Sequence, residues 1–454
     1  MKVFGSSGVR GVVGETVTPE FVGRVARAAG STLRADAVAV ARDTRRTGEM
    51  LADAVSAGLA ATGSDVHRLG VVPTPGVQAY AERTGVPALV VTASHNPPQY
   101  NGLKLVGADG AELSRDTLER VEDRLLAERF DAADWATTGE SSRVTSARRE
   151  YVADLLAAVD HERIAAADLT VALDPGHGAG ALTSPEFFRE LGCRVLTVNA
   201  QPDGHFPGRD PEPVAANLED LATLVATTDA DVGIAHDGDA DRAIFYDETG
   251  TYIEGDASLA ALAAAALEAG DMAVSAVNVS QRLVDVAEQT GATLELTPIG
   301  STNIITRIRE LVAEGERVPV AGEGNGGVLF PDYRLARDGA YTAARFLELL
   351  CSQPASAAVA DFDGYANVRE NVSYETDAER EAMLAAAETY AEQADATPTT
   401  IDGYRLDYGD AWVLVRPSGT EPVVRVYAEA RERGRARDLV DDVHDTLLAA
   451  RSDS

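Results

Sequence analysis

The sequence predicts an α/β protein in which three related α/β domains with mixed, largely parallel sheets surround a central cleft and a smaller C-terminal α+β domain follows. Its 454 residues leave room for three or four compact units, since a domain commonly has roughly 100–200 residues. Through the first two thirds, short apolar runs alternate with alanine-rich helical stretches, the pattern of βα units. Beyond residue 357 the pattern changes to closely spaced strands and a terminal helix.

The first unit, 1–150, carries strand-like runs at 37–41 and 88–91 that bracket a helical stretch at 49–62. A polar run at 137–142 marks its end. In the second unit, 151–254, strands are expected at 170–173, 194–198 and 232–235. The third, 255–356, has them at 273–277, 294–297 and 318–321, and closes on a linker at 352–356. The fourth, 357–454, has strands at 412–415 and 423–429 and a helix over 436–449.

Composition narrows the class. The chain is 45% hydrophobic and 25% charged, enough for packed cores. Its longest wholly apolar stretch, 259–267, is far below the about 20 residues of a membrane span. With no signal-like start, the expectation is a soluble, cytoplasmic protein without membrane partners. Two cysteines, Cys193 and Cys351, exclude a disulfide framework and a cysteine-rich zinc site. A net charge of −33 opposes nucleic-acid binding. Only Lys2 and Lys104 are lysines, the other basic residues being arginine. That acidic, lysine-poor balance reads as adaptation to high salt.

Three loops follow strand runs directly: Thr92-Ala93-Ser94-His95-Asn96, Asp237-Gly238-Asp239-Ala240-Asp241-Arg242, and Gly322-Glu323-Gly324-Asn325-Gly326-Gly327. In open α/β sheets, ligands bind beyond the carboxyl ends of strands, so the three loops are expected to meet in one cleft. Asp237, Asp239 and Asp241 recur at every second residue, which in a tight turn aims three hard oxygen donors at one point and suits Mg²⁺. A calcium loop shares that spacing, but Arg242 stands where it needs glycine. A plain acidic turn is the competing reading.

Ser94 leaves a strand without the glycines of a hydrolase elbow, and His95, its neighbour, diverges from it on an extended backbone. Alone the segment reads as an ordinary turn; Lys104, a compact cation nearby, tips it toward phosphate chemistry. Arg416-Pro417-Ser418-Gly419-Thr420, with Arg425 beyond, offers hydroxyls, a glycine and arginine forks, a reasonable phosphate cradle. A hairpin turn explains the same peptide equally well.

Taken in order and at these separations, the four loops resemble the α-D-phosphohexomutase superfamily, from Phe4-Gly5-Ser6-Ser7-Gly8 to the loop near residue 420. The resemblance implies Ser94 as the phosphorylated serine, and one Mg²⁺ per chain held by a phosphoserine oxygen with Asp237, Asp239 and Asp241. Arg10, His95, Lys104 and Arg242 would line the transfer site, with Lys104 and His95 the candidate bases. Glu323 and Asn325 would read the sugar, and Arg416, Ser418, Gly419, Thr420 and Arg425 would anchor the second phosphate. Segments 42–45, 174–178 and 298–300 also look like family landmarks, taken as structural.

The implied reaction interconverts hexose 6-phosphate and hexose 1-phosphate through hexose 1,6-bisphosphate, in a monomer or homodimer. Asn325 and Gly327 stand where many relatives have Ser or Thr and His; this form resembles archaeal-type phosphoglucosamine and phosphomannose mutases. Glucosamine phosphate is the favoured substrate, with mannose or glucose phosphate as alternatives. A Mg²⁺-dependent sugar phosphatase and a non-catalytic sugar-phosphate binder are the other readings.

Overall fold

A computed structural model of the chain describes residues 3–5, 8–418 and 422–452. Four sheets follow one another along it. The first contains β1 (Val9–Val12), β2 (Ala37–Arg42), β3 (Asp65–Val71), β4 (Ala88–Val91), β5 (Tyr100–Val106) and β6 (Ser141–Arg143), in the order β1-β5-β4-β2-β3-β6. Strands β4, β2, β3 and β6 run parallel, while β5 returns antiparallel from β4 and pairs with β1. Side chains alternate across β2: Val38 and Val40 join a core with the helix Gly48–Ala60, whereas Ala39 and Ala41 join another with the helix Thr74–Thr84.

The second sheet holds β7 (Thr170–Asp174), β8 (Arg194–Thr197), β9 (Val232–Ala235), β10 (Ile244–Tyr246) and β11 (Tyr252–Ile253), ordered β11-β10-β9-β7-β8. The third holds β12 (Met272–Ala276), β13 (Thr293–Thr297), β14 (Val320–Glu323), β15 (Gly327–Phe330) and β16 (Arg334–Arg337), ordered β13-β12-β14-β15-β16. In each, three parallel strands form one side of the sheet and antiparallel strands the other. The fourth, from β17 (Ala366–Ser373), β18 (Thr397–Thr399), β19 (Tyr404–Asp407), β20 (Ala411–Pro417) and β21 (Val423–Ala430), is antiparallel throughout. Its own core includes the helices Asp377–Gln393 and Arg433–Ser452.

Two segments differ from expectation. The polar run at 137–142 does not separate units: β6 begins within it and pairs with β3, staying polar because an exposed edge strand has no core face. The linker expected at 352–356 contains the start of the helix Ala355–Val359, whose Ala355 and Ala358 are buried against the core of the second and third units. The change to the fourth fold therefore comes after residue 359. Among the described residues, no helix is long and apolar enough to cross a membrane.

Candidate active site

The turn after β4 puts Ser94 at φ 51°, a left-handed conformation that non-glycine residues rarely adopt. Arg45 holds it there. Its guanidinium donates to the carbonyl oxygens of Ser94 at 2.9 Å, Asn96 at 2.6 Å, Pro97 at 2.7 Å and Tyr100 at 3.0 Å. Asp43 in turn receives Arg45 Nε at 3.0 Å and the Thr92 hydroxyl at 2.7 Å. Arg45 and Asp43 are both fully buried, so the 42–45 segment is the brace of the serine loop.

The turn after β9 closes on this loop. Ser94 Oγ donates to Asp237 Oδ2 at 2.6 Å, joining residues 143 positions apart. All three aspartates are buried, and one oxygen from each lies within 4.8 Å of the others. Lys104 Nζ, carried by β5, donates to Asp239 and Asp241 at 2.7 Å each. Thr74 donates to Asp239 at 2.6 Å, and Arg337 donates to Asp241 at 2.7 Å. Asp239 Oδ1 and Asp241 Oδ1 lack a hydrogen-bond partner although buried. Burying bare carboxylate oxygens is costly, and a converging set of hard oxygens is what Mg²⁺ requires, so these residues fit that ion.

The electrostatics separate the members. Burial, then the Asp241 and Asp239 charges, push the Asp237 carboxyl up to about 8. Burial works against charge on Asp241, but Arg337 and Lys104 outweigh it and hold the group well below the usual range. Burial likewise opposes charge on Lys104, and the Asp239 and Asp241 carboxylates overcome it and raise the ammonium. Arg242, with burial second and Arg10 third, keeps His95 neutral by lowering it far below an ordinary imidazole. His95 Nδ1 lies 2.9 Å from Arg242 Nη2, where it accepts, which leaves the proton on Nε2. Lys104 and His95, the two base candidates, thus stand as donors.

Arg10, His95, Arg242, Glu323 and Asn325 line one cleft of about 760 Å³ with Arg416 and Arg425. Ser94, Lys104 and the aspartates are buried against it. Arg10 reaches the serine loop through Asn96 Oδ1 at 3.3 Å. The 322–327 loop is tied to the 237–242 loop, since Ala243 N donates to Gly326 O at 3.0 Å. Asn325 spends its side-chain oxygen on Gly327 N at 3.0 Å, so its amide donors are what it offers a ligand. Arg416 pairs with Asp402 at 3.1 Å, and the same carboxylate oxygen accepts from Ile299 N, which explains the 298–300 landmark as a docking point. Ser418 N donates to Val423 O at 2.9 Å, while Gly419 and Thr420 lie outside the described residues.

Sequence reading missed several cleft residues. Arg337, 96 positions from Asp241, also lies 3.6 Å from Glu112. Asn367, Arg369 and Tyr427 add a polar wall from the fourth unit. No motif marks them; the only signal for Arg369 is an arginine on a strand whose Val368 and Val372 are buried.

Family models match the chain in four consecutive parts. Those for phosphoglucomutase/phosphomannomutase α/β/α domains I, II and III match residues 1–132, 149–250 and 254–365. That for the C-terminal domain matches 366–446. The chain belongs to the phosphoglucomutase/phosphomannomutase family. It is 39% identical over 450 residues to a phosphoglucomutase/phosphomannomutase of Thermococcus kodakarensis, covering 97% of each chain. Identity to a probable phosphoglucosamine mutase of Methanopyrus kandleri is 40% over 451 residues, covering 98% of each. Among solved structures, a phosphoglucomutase/phosphomannomutase family protein from Burkholderia thailandensis superposes with a TM-score of 0.87 at 30% identity, covering 99% of this chain and 97% of that one.

Proposed function

We propose that this chain is a phosphohexomutase that interconverts hexose 6-phosphate and hexose 1-phosphate, with glucosamine as the favoured sugar. The observation that carries the reading is the Ser94 Oγ–Asp237 contact at 2.6 Å, which seats a candidate nucleophile on a three-carboxylate site. Relatives named probable phosphoglucosamine mutase, 37–40% identical over nearly their full lengths, favour the amino sugar. One 39% identical relative named phosphoglucomutase/phosphomannomutase keeps glucose and mannose phosphates as the second reading.

In this mechanism phosphorylated Ser94 gives its phosphoryl group to the free hydroxyl of a hexose monophosphate. The Oγ–P bond breaks, a sugar O–P bond forms, and the hydroxyl proton ends on Ser94 Oγ. Asp237, Asp239 and Asp241 would hold Mg²⁺, which when bound supplies positive charge for the transferring oxygens. Arg10, Arg242, Lys104 and His95 donate toward the same oxygens. The bisphosphate then turns over and returns its other phosphoryl group. Its distal phosphate rests on Arg416 and Arg425, while Glu323 and Asn325 hold the ring.

Intact mass of the purified protein tests the nucleophile: one phosphoryl group is expected, absent from Ser94→Ala. An assay in concentrated KCl with Mg²⁺ and a trace of hexose 1,6-bisphosphate should isomerise glucosamine 6-phosphate faster than mannose or glucose 6-phosphate. Release of free phosphate without isomer would replace the mutase reading by the phosphatase.

A further inference from the structure

A second crevice lies in the first unit, where the connections from neighbouring parallel strands part. The helix Gly48–Ala60, after β2, packs on one face of the sheet, and the helix Thr74–Thr84, after β3, packs on the other. Where successive connections diverge in this way, the carboxyl ends of the strands leave an opening, the usual ligand position of open α/β sheets. Here the opening is a cavity of about 410 Å³, within the size range of small-molecule sites.

Its wall carries four arginines, Arg42, Arg68, Arg143 and Arg148, against one carboxylate, Glu49. Glu49 is shared by Arg42 at 2.8 Å and Arg68 at 3.3 Å, and Arg68 also meets Asp53 at 2.5 Å. Arg143 and Arg148 are exposed and have no ion-pair or hydrogen-bond partner for their side chains among the described residues. Four guanidiniums with only Glu49 and Asp53 as partners leave positive charge in excess, from which folding gains nothing. With 73 acidic residues against 40 basic ones in the chain, this crevice runs counter to the overall balance. The rest of the wall is largely apolar, with Leu69, Val71, Val144 and Leu182.

We propose that this crevice is a second anion site, separate from the catalytic cleft, for a phosphomonoester that bears an apolar body. Guanidinium forks match phosphate oxygens in pairs, and the aliphatic wall accepts the remainder of the ligand. Arg42 adjoins Asp43, so a molecule bound here lies one residue from the brace of the Ser94 loop.

Hydrogen exchange with phenyl phosphate as the probe tests the site, comparing the full chain with the Arg143→Ser/Arg148→Ser double variant. Since neither side chain has a partner, the variant is expected to keep its fold. In the unaltered protein the probe should slow exchange saturably at residues 68–71 and 142–149. The double variant should need at least about tenfold more probe for the same protection there, with an unchanged response at residues 416–418. Protection confined to the cleft in the unaltered protein, or the same titration in both proteins, would overturn the proposal.

Discussion

Lys104 ties the serine-bearing strand pair to the 237–241 turn through a single buried ammonium, 2% exposed and shared by two carboxylates. Replacing it with methionine keeps much of the volume and strands Asp239 and Asp241 with less positive charge. Removing one partner of a buried ion pair costs about 3–5 kcal/mol, so Lys104→Met should unfold at lower denaturant by that order. Mg²⁺ brings charge to the same carboxylates, and should therefore raise the variant's stability more than it raises that of the unaltered protein. Turnover should remain lowered by at least about a hundredfold even with Mg²⁺, because a donor to the transferring oxygens is gone. Urea titrations with and without Mg²⁺ check the first two points, and equal Mg²⁺ gains in the two proteins would show that Lys104 and the ion do not share a role.

Glycines let the elements approach closely enough for those side chains to meet. A Cβ on Gly238 would lie 2.6 Å from the carbonyl oxygen of Ser94, and one on Gly178 would lie 2.5 Å from that of Gly238. Three turns, after β7, β4 and β9, are therefore stacked backbone against backbone. Gly238→Ala must push the metal turn off the serine turn, and a displacement near 1 Å costs about a hundredfold in rate. Steady-state kinetics should show that loss in kcat, with the far-ultraviolet circular dichroism unchanged; an unaltered kcat would mean that the contact is not needed. This stacking also explains what the sequence made legible. The Ser94, Asp237 and Glu323 loops could be recognised because each is a local motif at a strand end. Arg337, Thr74 and the bracing role of Arg45 were hidden because they act across 96, 165 and 49–55 residues, respectively. The antiparallel return strand β5 was hidden too, since Tyr100–Val106 is buried along nearly all its length and lacks an alternating pattern.

At the scale of the molecule, the second and third units share one core, in which Phe245 and Phe346 stack with ring centroids 4.2 Å apart. The fourth has a core of its own and meets the third through a small apolar cluster of Val277, Trp412 and Leu414, flanked by buried polar contacts. Glu429, fully buried, accepts from Gln281 N at 2.7 Å, Ser280 Oγ at 3.0 Å and Trp412 Nε1 at 3.3 Å. Arg405 returns the contact by donating to the carbonyl oxygens of Val277 and Val279. A unit with a separate core and only a small shared apolar cluster at its seam should unfold as its own cooperative step, so calorimetry should resolve a smaller transition beside the main one. Glu429→Ala strands buried donors, at about 1–3 kcal/mol for such groups, and should lower the smaller transition by at least about 4 °C while leaving the larger in place. Because Arg369, Arg416 and Arg425 reach the cleft from this unit, the same variant should raise KM for the hexose phosphate more than it lowers kcat. Two transitions that fall together would instead mean that the seam belongs to the shared core, and that the arginine wall of the cleft is fixed in place before substrate arrives.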